Sequence, residues 1–330
     1  MNTSGKIFRV SVFGESHGAG TGVLIDGCPP GLQLNEKMLF KDIDRRRSGS
    51  RGTTARTEHD RPEIISGVYR GISTGAPIMI MTANTNTRSR DYNKFSEIPR
   101  PGHADMTGRM KYKEYNDPRG SGHFSGRQTW AMVVAGSVAR QIISPAVVKA
   151  RLLSAGGNTD IQHEVDMALK DGDSVGGLIE CTGSGIPAGL GEPLYYSLES
   201  AVSQMVFSVP AIKGIEFGSG FRAAAMRGSE HNDPFINREG KTSGNNAGGV
   251  NGGISNGNEI VIRVAVKPTS SISAEQETFN IEKDEMDILK IEGRHDTCIA
   301  LRMPVIIESA VAIALADLTI LNRGIYGGIK

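Results

Sequence analysis

Short stretches of alternating apolar and polar residues run through the chain and predict β-strands. In the clearest of them, 259–266, four branched apolar side chains fall on one face of an extended chain: Ile260, Ile262, Val264 and Val266. Similar stretches lie at 7–13, 22–26, 63–69 and 77–82. Apolar residues instead recur at helical spacing over 127–143, 198–207 and 304–321, and this spacing predicts helices.

The predicted helices carry few charges, so we expect them to be covered on more than one side, as in a helical layer between sheets. The strands occur in clusters and do not alternate strictly with the helices, which favours an α+β fold over a doubly wound parallel sheet. No proline-rich or low-complexity linker divides the 330 residues, and we therefore predict one domain over residues 1–330. The 42 glycines show no repeat and indicate many tight turns.

Composition limits the partners that this chain can recruit. Its 37 Lys and Arg residues against 36 Asp and Glu leave a net charge of +1, so any anion site must be local. Three widely spaced cysteines argue against a disulfide framework and a zinc site, and they favour a reducing cytoplasm. The polar amino terminus predicts no signal peptide. Glu308 and Asp317 interrupt the apolar stretch 305–321, which indicates a buried helix rather than a membrane span.

Two histidines lie in turns dense in small residues, and these turns give the strongest indication of chemistry. His17 lies within GESHG at 14–18, and His103 lies within PGHAD at 101–105. Because the ordinary pKa of histidine is near neutrality, the side chain can give or take a proton at working pH. We therefore predict that both side chains stand beside a ligand.

A basic segment, DRRRSGSR at 44–51, predicts an anion site. Guanidinium groups bind carboxylates and phosphates bidentately, and the small residues in the segment allow several arginines to converge on one multiply charged small molecule. The charge pattern fits equally well a solvated helix end whose arginines pair with nearby acids, namely Asp42, Asp44, Glu58 and Asp60.

Several glycine-rich or hydroxyl-rich segments are suited to a phosphate or a planar ring. RGSGHFSGRQT at 119–129 leads into the helix that contains Trp130, and backbone N–H groups at a helix start bind anions. The glycines of 245–253 would let the backbone lie flat against a ring. KPTSS at 267–271 offers a cation and hydroxyls to a phosphate or a polar ring edge. Each segment alone is more typical of a capped turn or a flexible loop. GRHDT at 293–297 is likewise typical of a surface ion pair.

Two alternatives come from other classes of protein, a nucleic-acid-binding module and a nicotinamide-dependent dehydrogenase. The aromatic content of 5% and the lack of a basic excess disfavour nucleic acid binding. No GxGxxG stands between a predicted strand and a predicted helix, which disfavours the dehydrogenase.

Taken together, these segments resemble the ordered signatures of the chorismate synthase family. The matching stretches are FGESHG at 13–18, DRRRSGSR at 44–51, RPGHAD at 100–105, RGSGHFSGRQT at 119–129, NNAGGVNGGISNG at 245–257, KPTSS at 267–271 and GRHDTC at 293–298. Matches in this order over nearly the whole chain are far more specific than any one of them. The resemblance implies an α+β fold in which a helical layer lies between antiparallel sheets, a β-α-β sandwich.

The resemblance also implies an activity. Members of this family are carbon–oxygen lyases of the shikimate pathway, which leads to the aromatic amino acids. They remove phosphate and a ring hydrogen from 5-enolpyruvylshikimate 3-phosphate in a trans 1,4-elimination that gives chorismate. They need reduced FMN (FMNH2), although the reaction has no net redox change. The two carboxylates and the phosphate of this substrate are groups that clustered arginines bind well.

The roles known for the family fall on defined positions of this chain. By resemblance, His17 would protonate or stabilise the departing phosphate, His103 would support the charge of the reduced flavin, and Asp296 would exchange the proton at flavin N5. The arginines expected to bind substrate are Arg45, Arg46, Arg47 and Arg51. The residues expected to hold FMN are His123, Phe124, Ser125, Pro210, Ala211, Gly252, Lys267, Pro268, Thr269, Ser270, Ser271 and Arg294.

The resemblance implies a short set of partners. We expect a small-molecule substrate, an external flavin reductase and further copies of the chain in a cytoplasmic homotetramer. We expect no metal ion, nucleic acid or membrane. Some members of the family reduce the flavin themselves with NADPH, and for this chain that alternative stays open.

Overall fold

The computed structural model describes residues 2–54, 60–86, 89–291 and 295–327. The helices are α1 Glu36–Arg46, α2 Asp105–Tyr112, α3 Thr129–Ile142, α4 Ile161–Asp171, α5 Leu198–Phe207, α6 Gly228–His231 and α7 Met303–Tyr326. The strands are β1 Thr3–Ser4, β2 Arg9–Gly14, β3 Gly20–Asp26, β4 Glu63–Ser66, β5 Val68–Tyr69, β6 Ile72–Ser73, β7 Ile78–Ala83, β8 Val147–Ala155, β9 Gly177–Ser184, β10 Ile212–Phe217, β11 Val250–Asn251, β12 Ile254–Ser255, β13 Ile260–Val266, β14 Gln276–Asn280 and β15 Glu285–Leu289. Short 3₁₀ segments are Ser89–Ser96, Arg119–Phe124, Gly126–Gln128, Leu194–Tyr196, Gly220–Ala225 and Ile299–Arg302.

The amino-terminal half forms an antiparallel sheet with the strand order β1-β2-β3-β7-β4. Val23 pairs with Ile80, and Ile25 pairs with Ile78, in the register of β3 and β7. These four side chains are buried. Because side chains alternate between the faces of a strand, this register places one apolar face against the helices.

A second antiparallel sheet has the strand order β10-β13-β9-β8. The four apolar side chains of β13 named from the sequence are all buried, which confirms their common face. Ile262 pairs with Cys181, and Val264 pairs with Ile179, in the register of β13 and β9. This sheet therefore also turns one apolar face inward.

Helices α3 and α7 form the layer between the two sheets. α3 packs against β3 of the first sheet, α7 packs against β8 and β9 of the second, and the two helices pack against each other. They approach closely at Gly136, where an added Cβ would lie 2.2 Å from the Cβ of Ser309. The predicted α+β fold with a helical layer between antiparallel sheets is therefore confirmed.

The apolar carboxy-terminal helix lies inside the molecule. The segment Ile299–Tyr326 is long and apolar enough to cross a membrane by length and composition, yet 78% of its most apolar window is buried by the rest of the chain. Its interrupting acids are used internally: Asp317 accepts hydrogen bonds from the backbone N–H groups of Lys6, Ile7 and Phe8. A core helix accounts for this composition.

Most predicted elements are present with shifted ends. α5 has the predicted bounds, α3 begins at Thr129, and α7 extends past the predicted end to Tyr326. The predicted stretch 63–69 is divided between β4 and β5. The division falls at Gly67, whose φ of +79° lies in the left-handed region and turns the chain out of the sheet.

Candidate active site

Two cavities adjoin each other and share part of their walls. The larger cavity has a volume of about 610 Å³, and the smaller, called the polar cavity below, has a volume of about 230 Å³. The residues that line both are His103, Phe124, Gly126, Thr269, Ser271 and Ile299. A ligand in one cavity would therefore lie directly beside a ligand in the other.

The larger cavity combines apolar walls with a polar side. The apolar side chains come from β2, α3, α5 and α7 and include Val10, Val12, Met132, Met205 and Ile313. The polar side is the segment 267–271, which follows the end of β13. Within the described part of the chain, the buried Thr269 hydroxyl has no hydrogen-bond partner, so a ligand atom could satisfy it. This volume and lining are typical of a small-molecule site.

Lys267 joins two of the predicted site segments. Its Nζ donates to the Gly102 carbonyl at 3.0 Å and to Ser270 Oγ at 2.7 Å. Burial lowers the pKa of Lys267, and the neighbouring charge of Lys213 lowers it further. These contacts hold the His103 turn against the carboxyl end of β13.

His103 is held by an arginine–aspartate pair. Its Nδ1 lies 2.6 Å from Asp105 Oδ1, and Arg100 donates to both oxygens of that carboxylate at 2.8 Å. Arg100 also donates to Ser121 Oγ at 2.9 Å and to Ser271 Oγ at 3.0 Å. Burial acts to raise the pKa of Asp105, but the hydrogen bonds from Arg100 and His103 hold it well below its ordinary value. With Nδ1 engaged, Nε2 is the ring nitrogen available to a ligand.

Arginines outnumber carboxylates in the wall of the polar cavity. Its charged lining consists of five arginines and two aspartates: Arg46, Arg47, Arg100, Arg127, Arg302, Asp60 and Asp296. Arg46 and Arg127 both pair with the buried Asp60. The excess of positive charge favours a multiply charged anion.

Asp296 lies in the segment before α7, and this segment forms one edge of the polar cavity. Its Oδ2 lies 2.5 Å from a guanidinium nitrogen of Arg302, and its Oδ1 accepts a hydrogen bond from the backbone N–H of Thr54 at 3.0 Å. Arg302 Nε is buried and has no partner among the described residues, so this guanidinium can still donate to a ligand.

His17 lies in the turn between β2 and β3, behind the wall of the polar cavity. Its ring stands edge-on to Tyr92, with 5.3 Å between the ring centroids. An added Cβ at Gly120 would lie 2.4 Å from His17 Cδ2. Tyr92 and Gly120 line the polar cavity, whereas His17 is not among its lining residues. The imidazole therefore supports the wall from behind at close range.

The His17 turn is pinned by two amide side chains. Asn84 donates to the carbonyls of Glu15 and Gly18, at 2.8 and 2.9 Å, and so closes the turn on both sides of His17. Asn84 also accepts from Arg127 Nε at 3.1 Å. Gln128 donates to the Gly14 carbonyl at 2.8 Å. The position of His17 is thus coupled to an arginine of the polar cavity.

Known proteins are similar to this chain in sequence and architecture over nearly their whole length. A sequence model of chorismate synthase matches residues 8–320. The chain belongs to the chorismate synthase family. The chorismate synthase of Chitinophaga pinensis is 53% identical in a match that covers 98% of each chain. The chorismate synthase of Dehalococcoides mccartyi is 43% identical over 97% of this chain and 96% of its own.

A solved structure shows the same fold. A crystal structure of chorismate synthase matches with a TM-score of 0.74 at 25% identity, over 97% of this chain and 94% of that chain. The family and the carbon–oxygen lyase class, both expected from the sequence motifs, are therefore confirmed.

The glycine-rich loop before α3 adopts a left-handed backbone next to His17. Gly120, Ser121 and Gly122 have φ values of +60°, +66° and +49°. The Gly122 carbonyl accepts from the Ser16 N–H at 3.1 Å. Ser121 is in a conformation that non-glycine residues rarely adopt, and its hydroxyl accepts from Arg100. The loop therefore contacts both the His17 turn and the Arg100 cluster and holds them next to each other.

Most residues predicted to hold the cofactor lie around the larger cavity. They are His123, Phe124, Pro210, Ala211, Lys267, Pro268, Thr269, Ser270 and Ser271. Ser125 lines the polar cavity instead. His123 Nδ1 lies 3.3 Å from the Gly14 carbonyl, so this side chain also contacts the His17 turn.

Besides His17, three described residues of the predicted site do not line either cavity. Arg45 makes two hydrogen bonds to Glu308, at 2.6 and 2.7 Å, because its position on α1 directs it to α7. Arg51 is largely exposed and pairs with Asp166 at 2.7 Å. Gly252 lies in the turn between β11 and β12, which packs against the start of α5. Arg294 lies outside the described residues.

Sequence reasoning missed several residues that build the site. Arg100 and Asp105 stand at the two ends of the RPGHAD segment, so their presence beside His103 was a usable signal. Asp60, Asn84 and Arg302 stand in stretches without a distinctive pattern. Asp60 and Asn84 contact Arg127, which lies 67 and 43 residues away, whereas Arg302 pairs with Asp296 only 6 residues before it.

Proposed function

We propose that this chain converts 5-enolpyruvylshikimate 3-phosphate into chorismate and phosphate with the help of reduced FMN. The observation that carries the proposal is the pairing of two adjoining cavities of different character. The larger suits an apolar ring with a polar edge, and the polar cavity suits a compact polyanion. Their shared wall contains His103, one of the two histidines expected to act.

The larger cavity is the proposed FMN site. Its apolar walls fit a planar ring, and the hydroxyl and ammonium groups of 267–271 fit polar ring edges or a phosphate. The unsatisfied Thr269 hydroxyl supports a polar ligand at this place. When bound, reduced FMN would supply electron density that eases the departure of phosphate, because the ring hydrogen to be lost is not acidic.

The polar cavity is the proposed substrate site. We retain Arg46 and Arg47 from the sequence-based set and add Arg100, Arg127 and Arg302 because they line the same cavity. Arg45 and Arg51 are left out of this proposed set because they line neither cavity and pair with Glu308 and Asp166. Guanidinium groups orient carboxylates and phosphate by bidentate hydrogen bonds and hold the reacting atoms in place.

We assign the proton and charge handling to three side chains. His17, directly behind Gly120, stabilises the departing phosphate, and the rigid turn around it keeps its ring in place. His103 acts at the shared wall through Nε2, since Nδ1 is engaged by Asp105. Asp296 is assigned the exchange of a proton with the bound flavin through its carboxylate, whose orientation is set by Arg302 and Thr54.

The wider setting is proposed on the family's properties. We expect a cytoplasmic enzyme of one domain, because side chains from Phe8 to Leu318 contribute to its main core. We also expect a homotetramer served by an external flavin reductase. Large exposed apolar side chains such as Tyr195 and Phe221 are consistent with contacts between copies.

An anaerobic assay tests the proposal directly. The protein is mixed with chemically reduced FMN and 5-enolpyruvylshikimate 3-phosphate, and chorismate absorbance and free phosphate are followed together. We expect the two products to form in equal amounts, and we expect no turnover with oxidised FMN. Release of phosphate without chorismate would identify a phosphatase and refute the proposal.

A further inference from the structure

We propose that Asp105 is a positioning residue that fixes His103 with a proton on Nδ1 and so presents the lone pair of Nε2 to the ligand. The inference rests on the proposed function for its catalytic meaning. The state of the imidazole itself is a property of the protein alone and can be measured without substrate or cofactor.

The surroundings of Nδ1 decide which tautomer is favoured. Asp105 Oδ1 lies 2.6 Å away, and an Arg100 guanidinium nitrogen lies 3.1 Å away. If Nδ1 lacked a proton, its lone pair would face a carboxylate oxygen at 2.6 Å. With a proton on Nδ1, the same contact becomes a short, charge-assisted hydrogen bond. An unprotonated Nδ1 could accept from the Arg100 nitrogen at 3.1 Å, but that nitrogen already donates to Asp105 Oδ1 at 2.8 Å, and the repulsion at 2.6 Å is the closer contact, so the Nδ1–H form is favoured.

The carboxylate cannot turn away to relieve that contact. Arg100 donates to Asp105 Oδ2 from its backbone N–H at 3.1 Å and from Nε at 2.8 Å, and to Oδ1 from its terminal nitrogen at 2.8 Å. Arg100 in turn packs over the Phe95 ring, 4.3 Å from its centroid. Because these contacts fix both oxygens, Asp105 holds the plane of the His103 ring as well as its tautomer.

The expected consequence lies at the opposite nitrogen. A neutral His103 of this tautomer can take up a proton at Nε2, and the ring protonated there can then donate to a negatively charged ligand and later give the proton back. His103 lines both cavities, and the proton would therefore move at the boundary between them. In the alternative tautomer, Nε2 would already carry a proton and could not accept one.

Asp105→Asn is predicted to invert the tautomer. The asparagine oxygen is best placed at the former Oδ2 position, since two Arg100 donors point there. Its NH2 group then stands at the former Oδ1 position and donates to His103 Nδ1. The imidazole proton must move to Nε2 for this contact to be favourable.

Nitrogen NMR of the protein labelled with ¹⁵N-histidine tests the prediction, at a pH where the imidazoles are neutral. The His103 signal is assigned by its loss in His103→Ala. We expect a protonated Nδ1 in the native protein and a protonated Nε2 in Asp105→Asn. A native His103 protonated on Nε2 would overturn the inference, and so would an unchanged tautomer in a folded Asp105→Asn. If Asp105→Asn does not fold, the native spectrum still decides.

Glu216→Gln is the matched control. Glu216 accepts from Arg263 Nε at 2.5 Å and from the Phe221 backbone N–H at 3.0 Å, so it is also a carboxylate held by an arginine and a backbone donor. It makes no contact with a histidine in the described part of the chain and lines neither cavity. Its variant is expected to leave the His103 spectrum and turnover unchanged. A His103 shift in this variant would refute the specific role of Asp105.

Turnover separates this inference from the proposed function. With chorismate and phosphate followed anaerobically, Asp105→Asn is expected to lose on the order of 100-fold to 10,000-fold in kcat, with little change in KM. If the native protein makes no chorismate, the proposed function fails while the NMR result stands. If chorismate forms and Asp105→Asn keeps native kcat, the positioning role alone is refuted.

Discussion

Two buried clusters of arginine and carboxylate lie on different faces of α1 and differ in their charge balance. In the first, the core cluster, Arg45 and Arg140 face Asp42 and Glu308, two cations against two anions. In the second, Arg46 and Arg127 share Asp60 at the wall of the polar cavity.

The difference shows how one kind of interaction serves two purposes. The core cluster is satisfied by the protein itself, since Glu308 also accepts from the Ala150 backbone N–H at 2.9 Å. The wall of the polar cavity has more arginines than acids, which favours a bound anion there. Loss of a charge in the core should therefore lower stability, whereas loss of a charge at the cavity should lower ligand binding.

The largest expected effect is a loss of turnover when either histidine beside the polar cavity is replaced. His17→Ala and His103→Ala should each lose on the order of 100-fold to 10,000-fold in kcat, because each removes a group that handles a proton or charge. Both residues lie in turns, so the fold should persist, as judged by circular dichroism. His163→Ala, on the exposed face of α4, is the control. Full activity in both site variants would show that the assigned roles are wrong.

On the core side, Glu308→Gln should lower the free energy of unfolding by about 3–5 kcal/mol, because two arginines lose their charged partner inside the protein. Urea denaturation followed by the fluorescence of Trp130, the single and fully buried tryptophan, measures this change. Glu180→Gln at the exposed pair with Arg151 is the control and should cost at most about 1 kcal/mol. Equal losses in the two variants would contradict the distinction between core and surface.

Neighbouring arginines on α1 give the sharpest form of the comparison. Arg46→Met should raise KM for the phosphorylated substrate about 10-fold to 100-fold. This factor corresponds to the loss of one hydrogen bond to a charged group. Arg45→Met should leave KM unchanged and lower stability by about 1 kcal/mol, a discounted figure because this side chain is 38% exposed. An increase in KM in Arg45→Met would place that arginine in the substrate site after all.

The smallest expected effect is the pH dependence that Asp105 gives to the free energy of unfolding in acid. Its folded-state pKa is held below the ordinary value of 3.8, so its stabilisation is complete above that pH and is lost as the pH falls towards the folded value. The difference in unfolding free energy between the native protein and Asp105→Asn should therefore be full at pH 6 and shrink below about pH 4. Urea denaturation between pH 3 and pH 7 measures it.

Asp287→Asn is the control for that titration. Hydrogen bonds from Asn280 and Lys283 lower the pKa of the exposed Asp287 to about 2, so the direction is the same but solvent screening is strong. The difference in unfolding free energy between the native protein and Asp287→Asn should therefore change less with pH than the difference for Asp105→Asn. A larger difference than that of Asp105→Asn would contradict the importance of burial at the His103 cluster.

Local pattern was enough to predict part of the fold. The alternation in β13 and the helical spacing of α5 are visible because each buries a regular face of apolar side chains. β8 was not predicted because charged residues such as Lys149 and Arg151 fall on its outer face between short apolar side chains. The five-residue strands β14 and β15 carry several acids and few apolar residues, so their pairing also left little local signal.

Motifs were enough to predict the site only in outline. They identified the His17 and His103 turns and the segment 267–271, which lie around the two cavities. They did not separate Arg45 from Arg46, because both stand in the same basic run. They named Asp60 only as an acid that could pair with the basic run, and they gave no role to Asn84, whose partner Arg127 lies 43 residues away.

The sequence by itself determined the family, the α+β class and the segments that carry chemistry, because apolar periodicity and ordered short motifs are local properties. Tertiary structure alone decided which arginines face the cavity and which complete the core. Successive residues of a helix point about 100° apart, so Arg45 and Arg46 reach different surroundings. The partner of Arg45, Glu308, lies 263 residues away, and only folding brings the two charges together.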